Sequence, residues 1–249
     1  MLNVTGLSIA VGKQRIVNES SFFVPSGKIT SIIGESGSGK SMTVAALLGI
    51  LPSGAVAEGQ AMFNEKNLIT LASQEMNDIR KKHIFTIFQD ASNSFNPSVK
   101  MRRQLYEFSG RRMGDSIQQF QGKLGVILDD LGLSAEILEQ YPFELSGGML
   151  QRCMIACALY VKPDLLIADE PTSALDMVLQ KEFLTLLKRL NEEQKTTILI
   201  ITHDLDIVTE AAHEMIVMQR GEVVEVGAVA TVLAQPQHPY TRRLLDSRF

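Results

Sequence analysis

The sequence predicts an α/β fold in which a mostly parallel sheet is covered by helices on both faces. Three observations favour this class. Strands alternate with helices in the last third of the chain, and a glycine-rich loop joins a strand to a helix near the start. In the segment between these two regions, the apolar residues recur only at helical spacing. Parallel strands need crossover helices, so the alternation indicates a sheet that is buried on both faces.

The first part of the chain is typical of β structure. Leu2–Ala10 and Ile16–Val24 flank a polar turn and predict a hairpin. Lys28–Ile33 is a short apolar run that enters the glycine-rich loop, and after Lys40 the residues Val44–Leu48 should form a helix. Another strand is predicted at Ile84–Phe88, directly before Gln89.

A helical insertion interrupts the β/α pattern from about Ser98 to Tyr160. Its apolar residues recur at helical spacing; they are Tyr106, Phe120, Leu124, Ile127, Leu128 and Leu131. The alternation then returns as strand Leu165–Ala168, helix Val178–Leu190, strand Thr197–Ile201, helix Leu205–Ala212, strand Met215–Met218 and strand Val223–Val226. We therefore expect a single domain, with a core over 1–97 and 161–227, a helical subdomain over 98–160 and a helical tail over 228–249.

Composition limits the classes of function. The 249 residues suit one large domain, and 24 basic against 28 acidic residues give a net charge of −4, which argues against a nucleic-acid surface. No apolar stretch approaches the ~20 residues that a membrane-spanning helix needs, and the N-terminus has no signal-peptide pattern. Cys153 and Cys157 are expected to be buried thiols of a reduced protein, since no neighbouring ligands complete a metal site.

The glycine-rich loop has the residues and the context of a phosphate site. It comprises Gly34, Glu35, Ser36, Gly37, Ser38, Gly39, Lys40 and Ser41, and Met42 follows as a further expected contact. Glycines let backbone N–H groups turn towards phosphate oxygens, and the helix after the loop adds the positive end of its dipole. Lys40 would contact the outer phosphates, and the Ser41 hydroxyl would bind Mg²⁺.

Two acids follow the apolar strand Leu165–Ala168. Asp169 should end the strand at the mouth of the phosphate site, where its carboxylate could hold Mg²⁺. Glu170 is the candidate for polarising the attacking water. The alternative, in which both acids merely cap the next turn, is disfavoured by the phosphate loop upstream.

The octapeptide Leu145–Arg152 reads LSGGMLQR and predicts a capped helix N-terminus. Ser146 is a suitable N-cap, and Gly147 and Gly148 would leave backbone N–H groups accessible. Such a terminus is an anion site. If the insertion holds it away from the chain's own loop, it could serve the phosphate loop of another molecule.

These motifs, in this order, resemble the ATP-binding-cassette (ABC) ATPases over nearly the whole chain. The resemblance implies a P-loop NTPase with a RecA-like core, an antiparallel β subdomain and an inserted helical subdomain, and it implies ATP and Mg²⁺ as cofactors. Gln89 matches the family's Q-loop, Ser173–Asp176 its D-loop and His203 its switch histidine.

The resemblance also implies roles for these residues. Two cassettes would pack head to tail, so that Ser146, Gly147 and Gly148 of one complete the ATP site of the other. His203 would contact the γ-phosphate, and Gln89 would contact Mg²⁺ or the water and report to a partner. The implied catalytic set is Glu170, His203, Gln89 and Asp176, and the implied magnesium set is Ser41, Gln89 and Asp169.

The chain departs from the family at the position that usually stacks on adenine. Family members usually carry an aromatic side chain near the first hairpin turn, whereas this chain has Val11 there. Val11 would make apolar contact without stacking, so we expect weak adenine discrimination or stacking by another residue.

Within the family, the chain resembles the separate ATPase subunits of transporters, and finer features resemble those of the peptide/nickel importer group. They are Ser94–Pro97, Tyr141–Glu144 before the octapeptide, and the tail His238–Thr241. The nickel-type D subunit is the nearest match, with nickel, a metal chelate or short peptides all open as cargo. The implied partners are a second cassette, expected to be a different chain, two multi-span permease subunits and, indirectly, an extracytoplasmic binding protein. The implied location is peripheral, at the cytoplasmic face of the membrane, without nucleic acid.

The alternative is a soluble ABC ATPase that acts on nucleic acid or on a protein assembly. The basic clusters Arg80–Lys82 and Arg102–Arg103 could be cited for it, but short charge runs are usually solvated surface. A binding-only cassette is disfavoured because no catalytic position is replaced.

Overall fold

The computed structural model describes residues 1–89, 92–173 and 175–246, and two sheets form its framework. The strands are β1 Leu2–Val11, β2 Gln14–Val24, β3 Ile29–Ile33, β4 Ala55–Phe63, β5 Lys66–Asn67, β6 Ile84–Ile87, β7 Leu165–Asp169, β8 Thr197–Thr202, β9 Glu214–Gln219 and β10 Glu222–Ala228. The helices are α1 Lys40–Leu47, α2 Ser73–Lys82, α3 Met101–Leu105, α4 Arg111–Met113, α5 Ile117–Asp130, α6 Gly147–Val161, α7 Met177–Gln194, α8 Leu205–Ala211, α9 Val229–Ala234 and α10 Pro239–Asp246. A π-helical segment, Tyr106–Gly110, joins α3 to α4.

The larger sheet is six-stranded in the order β10-β9-β3-β8-β7-β6, and every pair except β10 with β9 is parallel. All residues of β3 and β8 are buried, as expected for strands covered on both faces. Ile33 pairs with Thr202, and Asp169 pairs with Ile201. The segments that follow β3, β7 and β8 therefore meet at one edge of the sheet.

The smaller sheet is antiparallel, in the order β2-β1-β4-β5, and it packs over one face of the larger sheet. Leu7 of β1, Val44 of α1 and Leu199 of β8 belong to the same buried cluster. The N–H of Asn18 also donates to the carbonyl of Gly221, which ties β2 to the turn between β9 and β10. The predicted hairpin is confirmed.

The helical segment from α3 to α6 packs against the other face. Phe120 and Leu124 of α5 share a buried cluster with Phe85 of β6 and Leu166 of β7. Cys157 of α6 lies in this cluster, and burial raises the pKa of its thiol to about 12, so it stays protonated. Both cysteines are buried and unbridged, as predicted.

The sequence missed the elements between α1 and β6, namely β4, β5 and α2. The other predicted strands and helices are present with shifts of a few residues at their ends, and β6 ends at Ile87, before Phe88. No helix of the described ranges combines the length and the hydropathy needed to cross a bilayer.

Candidate active site

The phosphate loop leaves β3 through a backbone that only glycine allows. A Cβ atom on Gly34 would lie 2.1 Å from the carbonyl oxygen of Met218, at the end of β9. Gly37 and Gly39 have φ values of +80° and +101°, which L side chains rarely adopt. The glycines thus allow both the close approach to β9 and the curl of the loop.

Lys40 is held over this loop. Its Nζ donates to the carbonyl oxygens of Gly34 at 2.6 Å and of Glu35 at 2.9 Å, and only 6% of the residue is exposed. Burial lowers the pKa of Lys40, while the negative charges of Glu170 and Asp169 partly oppose the shift. An ammonium fixed in a glycine cradle at the start of α1 fits the phosphates of a nucleotide.

Asp169 ends β7 with one carboxylate oxygen unsatisfied. Its Oδ1 is buried and has no hydrogen-bond partner among the residues that the structure describes. Burial raises the pKa of this carboxyl and Glu170 adds to the increase, whereas Lys40 and the Ser41 hydroxyl act in the opposite direction. An orphaned carboxylate oxygen beside a serine hydroxyl fits a hard divalent cation such as Mg²⁺.

Glu170 and His203 form a pair at the same edge. Glu170 Oε1 lies 2.9 Å from His203 Nδ1, and the backbone N–H of Glu170 donates to the carbonyl of Ile201. The φ of Glu170 is +46°, and this backbone conformation costs energy for a residue other than glycine. The contacts with His203 and Ile201 maintain it. The side chain is 16% exposed, so its carboxylate is partly shielded yet reachable by water.

Ser146, Gly147 and Gly148 of the octapeptide lie at the start of α6. Ser146 Oγ accepts a hydrogen bond from the N–H of Met149, which confirms the N-cap. Ser146 and Gly147 are exposed, whereas Gly148 is buried against Leu179 of α7. The N-terminus of α6 is therefore accessible to another molecule.

Asp176 caps the neighbouring helix α7, because its Oδ1 accepts from the N–H groups of Val178 and Leu179 at 2.9 Å each. The residue is exposed, and Leu179 of the same helix lies against Gly148 at the start of α6. Ala174 of the predicted D-loop lies outside the described residues. Val11, the predicted adenine contact, ends β1 with 38% of its surface exposed.

Gln89 lines a groove that runs from the end of β7, at Asp169, to the helical segment. The groove has a volume of about 1640 Å³, and Asp169, Phe88 and Arg112 also line it. Arg112 of α4 donates to the carbonyl of Ile84 at 2.8 Å, which links the helical segment to β6. Burial lowers the pKa of Arg112 to about 10, so the guanidinium remains charged at neutral pH.

Of the predicted site residues, the fold brings Lys40, Ser41, Asp169, Glu170 and His203 together, and the groove connects Gln89 to them. Ser146, Gly147 and Asp176 lie instead on an exposed surface around the starts of α6 and α7.

One contact to the loop was missed. The N–H of Glu35 donates to the hydroxyl oxygen of Tyr240 at 2.9 Å. The tail motif His238–Thr241 includes Tyr240, but nothing in the motif indicates a contact with a loop 205 positions away.

Comparisons with known proteins agree with this geometry. A family model described as "ABC transporter" matches residues 17–173. The chain is 40% identical to the uncharacterized ABC transporter ATP-binding protein YejF of Escherichia coli, over 99% of this chain and 48% of YejF. It is 41% identical to the oligopeptide transport ATP-binding protein OppD of Haemophilus influenzae, over 93% of this chain and 72% of OppD. The chain thus spans about half the length of YejF and about seven-tenths of OppD.

A solved structure has the same architecture. It is the dimeric post-hydrolysis state of the ATP-binding cassette MJ0796 with ADP and Pi, which superposes with a TM-score of 0.78 at 25% identity. The match covers 92% of this chain and 99% of that one.

Proposed function

Since this chain belongs to the ABC transporter family and is an ATPase, we propose that it uses ATP with Mg²⁺ as the motor subunit of a short-peptide importer. One observation carries the proposed site. The ammonium of Lys40 lies in a glycine cradle within electrostatic reach of Asp169 and Glu170, and Glu170 contacts His203 at 2.9 Å. This arrangement supports the proposed roles of Lys40 as the phosphate-binding cation, Asp169 as the metal-binding carboxylate and Glu170 as the base.

The residues divide the chemistry among them. Lys40 and the loop N–H groups would bind the phosphates, and Ser41 and Asp169 would hold Mg²⁺, which neutralises charge on the phosphate oxygens when bound. The Glu170 carboxylate would accept a proton from the attacking water. His203 would keep that carboxylate oriented through Nδ1 and turn its exposed edge towards the γ-phosphate.

A second cassette would complete the site. The exposed, Ser146-capped start of α6 supports this, because the first N–H groups of a helix have no carbonyl partner within the helix and can bind the terminal phosphate held by another molecule's loop. The dimeric state of MJ0796 with ADP and Pi also supports pairing. We propose a head-to-tail pair in which the second cassette is a different chain.

The groove beside Gln89 is the proposed docking site for one of two multi-span permease subunits, and the second cassette would bind the other. The groove extends from Asp169, at the end of β7, to the helical segment. Closure of the cassette pair can therefore move a permease segment bound in the groove. Phe88 lines the groove with 44% of its surface exposed, which provides an apolar anchor. The chain would thereby lie at the cytoplasmic face of the membrane and couple indirectly to an extracytoplasmic binding protein.

Short peptides are the proposed cargo. Relatives about 40% identical over most of this chain are named oligopeptide or dipeptide transport ATP-binding proteins. Nickel and metal chelates, which the sequence also allowed, are the comparison cargoes in the test.

The test is purification of the tagged full chain from detergent-solubilised membranes. We expect multi-span proteins and a second cassette to co-purify. In reconstituted vesicles, the binding protein loaded with a mixed tripeptide library should raise ATP hydrolysis more than the same protein with Ni²⁺. Absence of membrane partners, combined with hydrolysis stimulated by DNA or RNA, would favour the soluble alternative.

A matched pair of variants sharpens this test. Phe88→Asp places a charge in the groove and should abolish co-purification of the membrane subunits. Phe23→Asp changes an aromatic residue of β2 that is 52% exposed, and it should retain them. Equal recovery from both variants would contradict docking in the groove.

A further inference from the structure

The tail after β10 reaches the phosphate loop through one side chain. Tyr240, in the first turn of α10, accepts a hydrogen bond from the N–H of Glu35 at 2.9 Å. The residue is only 2% exposed, so its hydroxyl is directed into the protein rather than to solvent.

Tyr240 is held firmly in place. Its ring belongs to a buried cluster with Ile33, which directly precedes the loop, and with Val217 of β9. Its N–H donates to Nδ1 of His238 at 3.2 Å. The carboxylate of Glu225 accepts from the N–H groups of Gln237 and His238, at 2.8 Å and 3.0 Å, and so anchors the turn before α10 to β10.

The hydrogen bond from Glu35 to Tyr240 involves the same peptide group that holds Lys40. The N–H of Glu35 and the carbonyl of Gly34 belong to the same peptide unit. The carbonyl accepts from Lys40 Nζ at 2.6 Å, and the N–H donates to Tyr240. Because a peptide unit is planar and its N–H and C=O point in opposite directions, it cannot rotate without breaking both contacts.

We propose that Tyr240 is a positioning residue of the nucleotide site, which fixes the Gly34–Glu35 peptide group and through it the ammonium of Lys40. This inference rests on the proposed assignment of the loop and assigns a role to the tail motif His238–Thr241. Without the hydroxyl, the peptide group can tilt, and Lys40 then has to be reoriented when a nucleotide binds.

The test is Tyr240→Phe in the full chain, which keeps the ring and removes only the acceptor oxygen. Loss of one hydrogen bond should weaken MgATP and MgADP binding by about 2- to 10-fold in calorimetry. The KM for ATP should rise by the same factor, while kcat at saturating ATP stays within about twofold. Hydrogen exchange of the Glu35 amide should become faster.

The matched control is Tyr106→Phe. Its hydroxyl also makes a hydrogen bond to the backbone, which it donates to the carbonyl oxygen of Asp115 at 2.9 Å in the helical segment. This variant should keep the wild-type affinity and the wild-type exchange at Glu35.

A folded Tyr240→Phe variant with unchanged nucleotide affinity and unchanged hydrogen exchange of the Glu35 amide would overturn this inference but not the proposed function. A variant with a lower melting temperature, but with wild-type KM in its folded fraction, would likewise overturn it, since the tyrosine would then serve stability only. A wild-type chain that binds no nucleotide would overturn both the inference and the proposed function.

Discussion

Replacing Glu170 by glutamine removes a proton acceptor while keeping its shape. The carboxylate lies 2.9 Å from His203 Nδ1 and is 16% exposed, so a side-chain amide can occupy the same space. The substitution also removes one negative charge near the bound phosphates, so ATP affinity should be retained or slightly increased. Turnover should fall by about 10²–10⁴-fold, the usual contribution of a general base. That factor corresponds to roughly 3–5 kcal/mol of transition-state stabilisation.

The assay is phosphate release at saturating MgATP, with binding measured separately by calorimetry. Glu193→Gln is the matched control, because Glu193 lies on α7, is exposed and forms a surface ion pair with Arg189 at 2.8 Å. It should turn over at the wild-type rate. If Glu170→Gln releases phosphate within about threefold of the wild type, the assignment of Glu170 as the base is wrong.

Three further substitutions test the loop and the metal ligand. Lys40→Ala should lose most ATP affinity in calorimetry, because the alanine cannot supply the charge held by the Gly34 carbonyl. Gly34→Ala should reduce folded yield and melting temperature, since its Cβ would lie 2.1 Å from a backbone oxygen that cannot move aside easily. Burial raises the pKa of Asp169, so folding favours its protonated form and the ionised carboxylate reduces stability at pH 7. Asp169→Asn should therefore melt higher than the wild type in nucleotide-free buffer at pH 7 and lose Mg²⁺-dependent turnover, and the stability difference should shrink as pH falls through the raised pKa.

The core of the fold and much of the site could be predicted because the signals are local. Buried parallel strands such as β8 are continuous apolar runs. The residues predicted to act on the nucleotide lie at the ends of these strands or in the segments just after them. Since the carboxyl ends of parallel strands share an edge, the positions of Lys40, Asp169 and His203 follow from the order of motifs. The Ser146 cap is likewise a short-range pattern.

What the sequence did not indicate depends on weaker or longer-range signals. The middle of β4 is exposed and carries Glu58 and Gly59, so it lacks the alternation of a half-buried strand. Helix α2 buries only Met76 and Ile79 among mostly polar residues. The contact between Glu35 and Tyr240 spans 205 positions, and no local pattern encodes such a pairing.

The most direct test of the paired site is the ATP hydrolysis rate per molecule as a function of dilution. The chain would be assayed over about a hundredfold range of concentration, alone and with its co-purified second cassette, with the paired fraction measured by sedimentation in the same solutions. Because the exposed start of α6 must complete another molecule's loop, the rate should fall in proportion to the paired fraction. An undiminished rate per molecule in a fully monomeric solution would contradict the account.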